Sequence, residues 1–388
     1  MEGRAFSDLR AGVVGTGFIG AVHVESLRRL GVRVTGVVGS SPERAREKGL
    51  AEPYESYEAL LSDPEVDAVH LTTPNFLHYG QVKEAIAAGK HVVCEKPLAL
   101  TAEESGELLE LAQRSGLVHA TNFNIRFYPL PRQARALRAR GELGEIWSVH
   151  GSYLQDWLLL PTDWNWRLEP ERGGGLRAVA DIGSHWLDLT GFVTGLRVES
   201  VFAELATFLP VRRRPQGEIE TFAGGEAAET VEQPMSTEDA AFILIRYEGG
   251  ARGSLVVSQV SAGRKNALSF ELDGSEASLA WNSERCEELW RGYRGRANEL
   301  LLRDPGLLEP EAARVTALPA GHTEGFADTF KELYRSVYRD IARGGPAEEP
   351  DYPTFADGHA GLVLGEAIAR SAREGSWVAV EHGVGVAV

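Results

Sequence analysis

Apolar residues follow two different spacings along this chain, and the spacing changes near residue 122. Before that point, short runs rich in β-branched residues alternate with stretches whose apolar positions recur at helical spacing. The runs predict strands at 11–14, 32–38, 68–72, 91–94 and 118–121, and the stretches predict helices at 19–30, 57–61, 79–88 and 102–115. Strands and helices that alternate in this way indicate a doubly wound parallel sheet.

Beyond residue 122 the strand-like runs follow one another without helices between them. They lie at 146–157, 241–245, 253–258, 268–272 and 277–281, and helices are predicted at 132–140, 182–193, 326–342 and 359–371, with a late strand at 377–380. Runs spaced in this way predict an α+β domain with an open, mainly antiparallel sheet. Such a sheet leaves one face to cover, often by a second subunit, so we expect a homodimer or homotetramer.

The first predicted strand breaks into glycines before the first helix begins. Gly15 would permit a tight turn, Gly17 would let the backbone approach a pyrophosphate, and Gly20 would let the helix pack closely on the strand. A glycine pattern alone is equally compatible with a simple turn. Its position on the first strand-to-helix turn favours dinucleotide binding, so we predict a Rossmann domain at 1–125 and a substrate-binding and oligomerisation domain at 126–388.

Residues 210–236 interrupt the second domain with a stretch dense in Pro, Gly, Arg and Glu. Few of its residues are apolar, which predicts an exposed excursion. A mobile surface loop and a lid over the site are both compatible with this composition.

Composition narrows the class of protein. The formal net charge of −16 argues against a nucleic-acid or anionic-membrane partner, because phosphate is bound mainly by Lys and Arg. Two cysteines are too few for a disulfide framework or a cysteine-based zinc site, which favours a reducing compartment. No apolar span reaches membrane length, and the first ten residues lack the apolar core of a signal peptide. We expect a cytoplasmic protein.

Two short motifs carry residues suited to alcohol chemistry. Lys96 follows a strand expected to end at the carboxyl edge of the sheet, where its ammonium could stabilise a substrate oxygen; the alternative is a solvated surface lysine. Asp181 and His185 are four residues apart, so both can share one helical face, and His185 could take a hydroxyl proton. The alternative here is an N-cap aspartate followed by a packed helix histidine.

The glycine turn, Glu95-Lys96-Pro97, Gly173-Gly174-Gly175 and Asp181-Ile182-Gly183-Ser184-His185 with Asp188 together resemble the Gfo/Idh/MocA family of NAD(P)-dependent oxidoreductases. The resemblance covers essentially the whole chain. It implies a catalytic trio of Lys96, Asp181 and His185 and a Lys96–Pro97 bond that is often cis. It also places Glu95-Lys96-Pro97 after the fifth strand and Thr72-Thr73-Pro74-Asn75, with His78, after the fourth strand, near the nicotinamide ribose.

Two of these segments keep a structural alternative. Thr73 to His78 could equally be a turn with a helix cap. Asn122-Phe123-Asn124-Ile125-Arg126-Phe127 resembles the family's Asn-x-Arg-Phe segment, in which Arg126 would hold an acidic partner or the substrate, or serve as a structural bridge.

Aromatic and polar residues after residue 152 resemble a sugar dehydrogenase subgroup of the family that includes levoglucosan dehydrogenase. They are Tyr153-Leu154-Gln155-Asp156-Trp157, Trp164, Trp166, Arg167, Arg264-Lys265-Asn266, Gly321-His322 and Glu324. Flat aromatic faces beside polar groups suit a sugar, although aromatic clusters are also common in cores. The predicted substrate-binding residues are Lys96, Asn124, Arg126, Gln155, Trp157, Trp166, Arg167, Asp181 and His185.

The end of the second strand bears on the choice between NAD and NADP. NAD-binding members carry an acidic residue there, but this chain has Gly39-Ser40-Ser41, with no carboxylate before Glu43. Two hydroxyls and Arg44 would suit a 2′-phosphate, so NADP is favoured and NAD remains the alternative. The predicted cofactor-binding residues are Gly15, Gly17, Phe18, Ile19, Gly20, Ser40, Ser41, Arg44, Thr73, Pro74, Asn75, His78, Glu95 and Lys96.

The resemblance implies reversible oxidation of a secondary alcohol on a cyclic sugar or polyol, without a metal ion. The first alternative is a keto-sugar reductase that uses NADPH. The second is a non-catalytic regulator that senses the nucleotide, as some relatives do; both the lysine and the histidine that such proteins lose are present here.

Overall fold

The computed structural model describes residues 3–216 and 229–381. The chain divides into two units, each made of two segments of sequence. Unit 1 comprises Met1–Asn124 and Ala327–Leu362, and unit 2 comprises Ile125–Phe326 and Val363–Val388.

A parallel sheet and five helices form the first part of unit 1. The strands are β1 Arg10–Val14, β2 Arg33–Val38, β3 Ala68–Leu71, β4 His91–Cys94 and β5 His119–Thr121, and the helices are α1 Phe18–Leu30, α2 Pro42–Lys48, α3 Tyr57–Ser62, α4 His78–Ala87 and α5 Ala102–Ser115. The sheet order among the described strands is β2-β1-β3-β4-β5, with every neighbouring pair parallel. The direction in which successive strands are added to the sheet reverses between β1 and β3. In sheets of this kind, ligands bind at the carboxyl ends of the strands at the point of reversal.

Local sequence explains where several of these helices begin. The side chains of Ser41, Ser56 and Thr101 each accept a hydrogen bond from a backbone N–H in the first turn of the helix that follows. Each side chain satisfies one of the helix's unpaired donors. The strands bury Val14, Val69 and their apolar neighbours in the unit's core.

Unit 2 is built on a larger sheet. Its elements are α6 Pro129–Ala139, β6 Ile146–Leu154, α7 Pro170–Gly173, α8 Ser184–Thr194, β7 Val198–Ala206, β8 Val211–Pro215, β9 Thr230–Pro234, β10 Ala240–Tyr247, β11 Arg252–Ser258, β12 Ala267–Gly274, β13 Ser278–Asn282, β14 Glu288–Gly292, β15 Glu299–Leu302, α9 Pro310–Ala313 and β16 Val378–Ala379. Two longer helices complete the chain, α10 Phe326–Arg343 and α11 Phe355–Glu374, and the boundary between the units falls inside α11.

The larger sheet of the described residues has the order β15-β14-β13-β12-β6-β11-β10-β7-β16. Its β6–β11 pair is parallel and its other pairs are antiparallel. One face packs on α8, whose fully buried Trp186 donates its indole N–H to the Ser269 carbonyl oxygen at 2.8 Å. The other face carries the exposed side chains of Phe242, Leu244 and Val256.

The predicted fold class, a doubly wound parallel sheet followed by an α+β domain with an open, mainly antiparallel sheet, is confirmed. Two motifs were predicted to follow a strand one number too high. Glu95 follows the fourth strand, β4, and not the fifth, and Thr72 follows the third strand, β3, and not the fourth. The helix predicted from residue 182 begins as α8 at Ser184, because Val179–Gly183 forms a π-helical turn.

Some strands were not predicted. In β7, inward-facing residues such as Val201 and Ala203 alternate with outward-facing residues such as Glu204. The two-residue period of a strand is therefore present, but the acidic residues interrupt the apolar run, and the strand was not predicted. The two ends of the 210–236 excursion pair as the antiparallel strands β8 and β9, although this stretch was predicted to be a loop. Residues 217–228 of that excursion lie outside the described residues.

No helix within 3–216 or 229–381 is both long enough and apolar enough to cross a bilayer.

Candidate active site

The turn between β1 and α1 fits a dinucleotide pyrophosphate. Gly15 has a φ of +107°, and a Cβ on it would lie 2.5 Å from Thr72 Oγ1. A Cβ on Gly20 would overlap the Gly15 carbonyl oxygen, so the close contact of α1 with the turn requires glycine at residue 20. A Cβ on Gly17, the N-cap of α1, would meet no described atom within 4 Å. The turn is therefore packed on its strand side and open at the helix N-terminus, where phosphates bind.

Two further predicted cofactor residues form the first turn of α1: Phe18 and Ile19. The Phe18 side chain is exposed.

The segment after β2 carries two hydroxyls and two charged groups. Ser40 is exposed, and Ser41 caps α2 by accepting the Arg44 backbone N–H at 3.3 Å. The backbone N–H of Glu43 and then the Ser41 hydroxyl hold the pKa of the Glu43 carboxyl below its usual value. A carboxylate and a guanidinium therefore both lie in the first turn of α2.

His78 ties together the loops that follow β3 and β4. Its ring is fully buried, and its nitrogens lie 2.9 Å from the Thr73 carbonyl oxygen and 2.8 Å from the Pro97 carbonyl oxygen. The Thr73 hydroxyl donates to Gln81 Oε1 at 2.6 Å, and Pro74 precedes a 3₁₀ turn that begins at the buried Asn75. These contacts hold the two loops together. The N-cap of α4, Leu77, makes no side-chain capping bond, and contact of this segment with the nicotinamide ribose stays a prediction.

Glu95 and Lys96 follow β4 at the carboxyl end of the parallel sheet. The Lys96–Pro97 peptide bond is cis. Glu95 Oε2 accepts the backbone N–H of Lys96 at 3.3 Å, and Glu95 Oε1 accepts hydrogen bonds from Asn122 Nδ2 and, at 3.1 Å, from His23 Nε2. The Glu95 carboxylate is thus bonded on both oxygens, one of them to the backbone of the predicted catalytic lysine.

Asp181 is fixed in the same way in unit 2, although by different donors. Its Oδ1 accepts a hydrogen bond from Arg167 Nε at 3.2 Å, and its Oδ2 accepts one from Gln259 Nε2 at 2.8 Å. The Arg167 guanidinium also lies over the Trp166 ring, 4.4 Å from its centroid. His185 follows in the first turn of α8, so the structure places a fixed carboxylate next to a histidine on successive turns.

Aromatic and amide side chains lie beside His185. The Tyr153 and His185 ring centroids are 6.4 Å apart. Asn266 Oδ1 accepts hydrogen bonds from the Tyr153 hydroxyl at 2.7 Å and from Gln155 Nε2 at 2.9 Å, while Gln155 Oε1 accepts the Trp157 indole N–H at 2.8 Å. Burial raises the pKa of the Tyr153 hydroxyl, so it remains a neutral donor.

Asn124 and Arg126, two predicted substrate residues, both bind other side chains. Arg126 forms a two-point ion pair with Asp188, with Nε 2.8 Å from Oδ2, and its guanidinium lies over the Phe192 ring. Asn124 Nδ2 donates to Thr329 Oγ1 at 2.7 Å. The acidic partner predicted for Arg126 is therefore Asp188, and contact of Arg126 with the substrate stays a prediction.

A buried ion triad lies behind Gln259. Asp239 Oδ1 accepts hydrogen bonds from Arg177 and, at 2.8 Å, from Arg212, and all three side chains are fully buried. Burial lowers the pKa of the Arg212 guanidinium. Burial alone would raise the pKa of the Asp239 carboxyl, but the Leu209 N–H and the two guanidinium groups outweigh it, and the pKa of Asp239 is lowered. Arg177 Nη1 also approaches Gln259 Oε1 at 3.5 Å, which links the triad to Asp181. Arg212 lies on β8, so one base of the excursion is anchored here.

Other residues of the subgroup pattern support loops. Glu324 is buried and pairs with the fully buried Arg303 at 3.1 Å, while His322 is exposed and supplies its carbonyl oxygen to Arg303. Lys265 pairs with Asp156 at 2.7 Å on the surface.

One group of potential metal ligands occurs in the described part of the chain, on the larger sheet. Its members are His150, Glu271 and Asp273, whose ligand atoms lie within 4.8 Å of one another. All three are half-buried, and the group does not include Asp181 or His185, so metal independence of the reaction stays a prediction.

Sequence reasoning did not identify several residues that bind the two carboxylates or continue the hydrogen bonds behind them. They are His23, His70, Gln259 and Tyr338. His23 and His70 stand among apolar residues in α1 and β3, a buried placement that could have singled them out. Gln259 and Tyr338 carried no sequence signal, because their partners are distant along the chain.

The chain matches two family models and is similar to several sugar dehydrogenases. Residues 9–123 match the oxidoreductase family with an NAD-binding Rossmann fold, and residues 132–280 match the Gfo/Idh/MocA C-terminal domain. Levoglucosan dehydrogenase of Pseudarthrobacter phenanthrenivorans is 30% identical over 96% of this chain and 98% of its own length.

Solved structures give the same result. A levoglucosan dehydrogenase in complex with NADH and L-sorbose has a TM-score of 0.85 at 29% identity, covering 96% of this chain and 99% of its own. An inositol dehydrogenase homolog from Azotobacter vinelandii complexed with NAD⁺ has a TM-score of 0.84 at 29% identity, covering 97% and 99%. The fold, the glycine turn and these matches together show that this chain belongs to the Gfo/Idh/MocA family of oxidoreductases, with an NAD-binding Rossmann domain.

Proposed function

We propose that this protein oxidises a secondary alcohol of a cyclic sugar or polyol reversibly, with a nicotinamide dinucleotide and without a metal ion. The observation that carries the proposal is the pair formed by Asp181 and His185, where a carboxylate held on both oxygens precedes a buried histidine by four residues. A fixed carboxylate and a histidine supply what removal of a hydroxyl proton requires.

Lys96, Asp181 and His185 have separate tasks in the proposed reaction. The Lys96 ammonium donates a hydrogen bond to the reacting hydroxyl and stabilises its oxygen as negative charge develops. His185 accepts the hydroxyl proton. Asp181 orients the substrate by accepting a hydrogen bond from it. The bound nicotinamide supplies the hydride acceptor, and we propose that the β1–α1 turn holds the pyrophosphate of this cofactor.

The substrate class follows from polar and aromatic residues of unit 2, the unit that carries His185. Gln155, Trp157, Trp166 and Arg167 combine hydrogen-bonding groups with flat rings, which suits a sugar with hydroxyls and a C–H face. Relatives named for levoglucosan and for inositol support this class. We leave Asn124 and Arg126 out of the substrate set, because their side chains bind Thr329 and Asp188.

The proposed enzyme is tested by turnover of wild type and Lys96→Ala with a panel of inositols, aldoses and anhydrosugars. Loss of the ammonium is expected to lower kcat/KM at least about 100-fold for any panel member that reacts. Lys83→Ala is the matched control, since Lys83 is a half-exposed lysine of the same unit. Cofactor binding without turnover in either direction would instead favour the nucleotide-sensing regulator, and reaction only with keto-sugars and NADPH would favour the reductase.

We further propose that NADP(H) is preferred over NAD(H). The support is the absence of a carboxylate at residues 39–41 and the guanidinium of Arg44 in the first turn of α2. Wild type should show a higher kcat/KM with NADP⁺, and Arg44→Ala should reduce that preference about tenfold while Arg46→Ala leaves it unchanged. A preference for NAD⁺ would overturn this proposal. It is the result to look for because relatives have been solved with NADH or NAD⁺.

We also infer a cytoplasmic homodimer or homotetramer. Its support is the low cysteine count of two, Cys94 and Cys286, and the exposed apolar side chains on the open face of the larger sheet. Light scattering on the purified protein tests the subunit number.

A further inference from the structure

A chain of hydrogen-bonded side chains runs from Glu95 into the interior of unit 1. His23 Nε2 lies 3.1 Å from Glu95 Oε1, His23 Nδ1 lies 3.0 Å from His70 Nδ1, and His70 Nε2 lies 2.9 Å from the Tyr338 hydroxyl. Four elements contribute: the residue after β4, α1, β3 and α10. Hydrogen bonds link them in a single series.

The series is closed to solvent except at one end. His23, His70 and Tyr338 have no exposed surface, and the Glu95 side chain is 12% exposed. The rings of Phe330 and Tyr334 pack against His23 with centroid distances of 5.7 and 5.1 Å. Water therefore cannot replace any bond between the two histidines and Tyr338.

The direction of the series follows from the number of protons on its groups. With Glu95 ionised and one proton on each imidazole, His23 Nε2 donates to the carboxylate, which only accepts, and His23 Nδ1 accepts. His70 must consequently donate from Nδ1 and accept at Nε2, where the Tyr338 hydroxyl donates. Burial lowers the pKa of His70 well below its ordinary value, which keeps His70 neutral.

We propose that His23, His70 and Tyr338 are positioning residues for Glu95, and that their three hydrogen bonds all donate toward its carboxylate. Bonds that point the same way strengthen one another in a buried site. Because Glu95 Oε2 accepts the Lys96 backbone N–H, an oriented carboxylate also fixes the start of the Lys96-Pro97 turn. The inference rests on the proposed function, in which Lys96 contacts the substrate, and on the predicted contact of Glu95 with the cofactor.

Other polar and titratable groups near the series are few. Asn122 donates to Glu95 Oε1, and Tyr334 lies against both histidine rings. Burial raises the pKa values of Tyr334 and Tyr338, the latter also through Asp67, so both phenols stay protonated. The hydroxyl of Tyr334 has no hydrogen-bond partner among the described residues, whereas that of Tyr338 binds His70. The two tyrosines, one helical turn apart on α10, form a matched pair for mutation.

The first test needs neither cofactor nor substrate. Long-range ¹H–¹⁵N NMR of the full chain labelled at its ten histidines reports which ring nitrogen carries the proton, and His23→Gln and His70→Gln assign the two signals. We expect His23 protonated at Nε2 and His70 protonated at Nδ1 at neutral pH. A doubly protonated His23, or His70 protonated at Nε2, reverses the series and overturns the proposal.

The second test measures cofactor affinity and turnover in two tyrosine variants. Tyr338→Phe removes the first donor and is expected to weaken binding of the reduced cofactor and to lower kcat, each about fivefold, as expected for one lost hydrogen bond. Tyr334→Phe should leave both unchanged. If Tyr338→Phe behaves like Tyr334→Phe while wild type binds the cofactor and turns over, the inference fails and the proposed function stands. If wild type neither binds nor turns over, the proposed function fails and the proton positions are judged by NMR alone.

A third comparison separates positioning from packing. In His23→Gln, the amide nitrogen can donate to Glu95 while the amide oxygen accepts from His70, and His23→Leu offers neither group. We expect the glutamine variant to retain at least about five times the kcat of the leucine variant, with the wild-type pH profile. Equal losses in the two variants would show that the histidine acts only by filling space.

Discussion

Glu95 in unit 1 and Asp181 in unit 2 are both held on each of their two oxygens, but the donors differ in kind. Glu95 is bound by His23, an amide and a backbone N–H, with the buried His70 next in the series. Asp181 is bound by the Arg167 guanidinium and by Gln259, with an ion triad behind it. The three donors given above for Glu95 include no arginine or lysine side chain, whereas Asp181 is bound by a guanidinium group.

The same difference extends beyond these two residues. In unit 1, burial lowers the pKa values of His70, His91 and His119, and the last two accept backbone N–H groups at Nδ1. Neutral histidines avoid the cost of burying charge, but they make the fold sensitive to acid. Buried ion pairs do not titrate near neutrality, yet the loss of one partner leaves an unpaired charge. The neutral histidines of unit 1 should therefore be disrupted by acid, and the ion triad of unit 2 by substitution of one of its members.

Removal of the central charge of the ion triad should have the largest effect. Asp239→Asn leaves the guanidinium groups of Arg177 and Arg212 buried without a counter-charge, so we expect the free energy of unfolding to fall by about 3–5 kcal/mol. Urea unfolding measures this change. Glu374→Gln, at the exposed end of α11, is the control and should change stability little. A loss below about 1 kcal/mol for Asp239→Asn would mean that the triad is not the support of this region.

Acid should weaken unit 1 through its buried histidines. The pKa of His119 is lowered to about 4 by burial, whereas a histidine in the unfolded chain titrates near 6.5. Between these values the unfolded chain binds the extra proton, so stability rises with pH and is lost as pH falls below 6.5. From about pH 7.5 to about pH 5 this histidine should account for about 2 kcal/mol of lost stability.

The variant His119→Asn isolates that effect, because the Asn oxygen can accept the Phe355 N–H without titrating. Its free energy of unfolding, measured at several pH values, should fall less steeply with acid than that of wild type. Parallel curves for the two proteins would exclude His119 as the acid-sensitive group.

Loss of the charged donor to Asp181 should have a moderate effect on activity. Arg167→Ala removes a charge-assisted hydrogen bond worth about 1.5–3 kcal/mol, so kcat/KM for the reacting sugar should fall at least about tenfold. Arg172→Ala, in the same segment and half-exposed, is the matched control. Equal activities of the two variants would remove Arg167 from the site.

A surface ion pair gives the smallest expected effect. Lys265 is 77% exposed and pairs with Asp156 at 2.7 Å, so Lys265→Ala should change the free energy of unfolding by no more than about 1 kcal/mol. The change should shrink further in high salt. The changes in the free energy of unfolding in Lys265→Ala and Asp239→Asn can then be compared. Their difference shows how strongly burial determines the contribution of an ion pair to stability.

The order of the helices and strands could be predicted because it depends on local patterns, namely the spacing of apolar residues and the residues that form turns and caps. The strand 91–94 and the helix 102–115 agree with β4 and α5 to the residue, since each is bounded by turn or capping residues. The strands β7, β8 and β9 were missed because acidic, arginine and proline residues interrupt their apolar alternation. Their pairing comes from neighbouring strands, which a single segment does not reveal.

The sequence by itself determined the family, the two kinds of sheet and the identity of the candidate reactive residues, because glycine spacing, alternation and short motifs act over a few residues. Only the tertiary structure decided what holds those residues. His70 meets Tyr338 across 268 positions of sequence, and Asp181 meets Gln259 across 78. Contacts at such separations depend on how whole elements pack, so no local pattern encodes them, and the orientation of both carboxylates is a property of the folded chain.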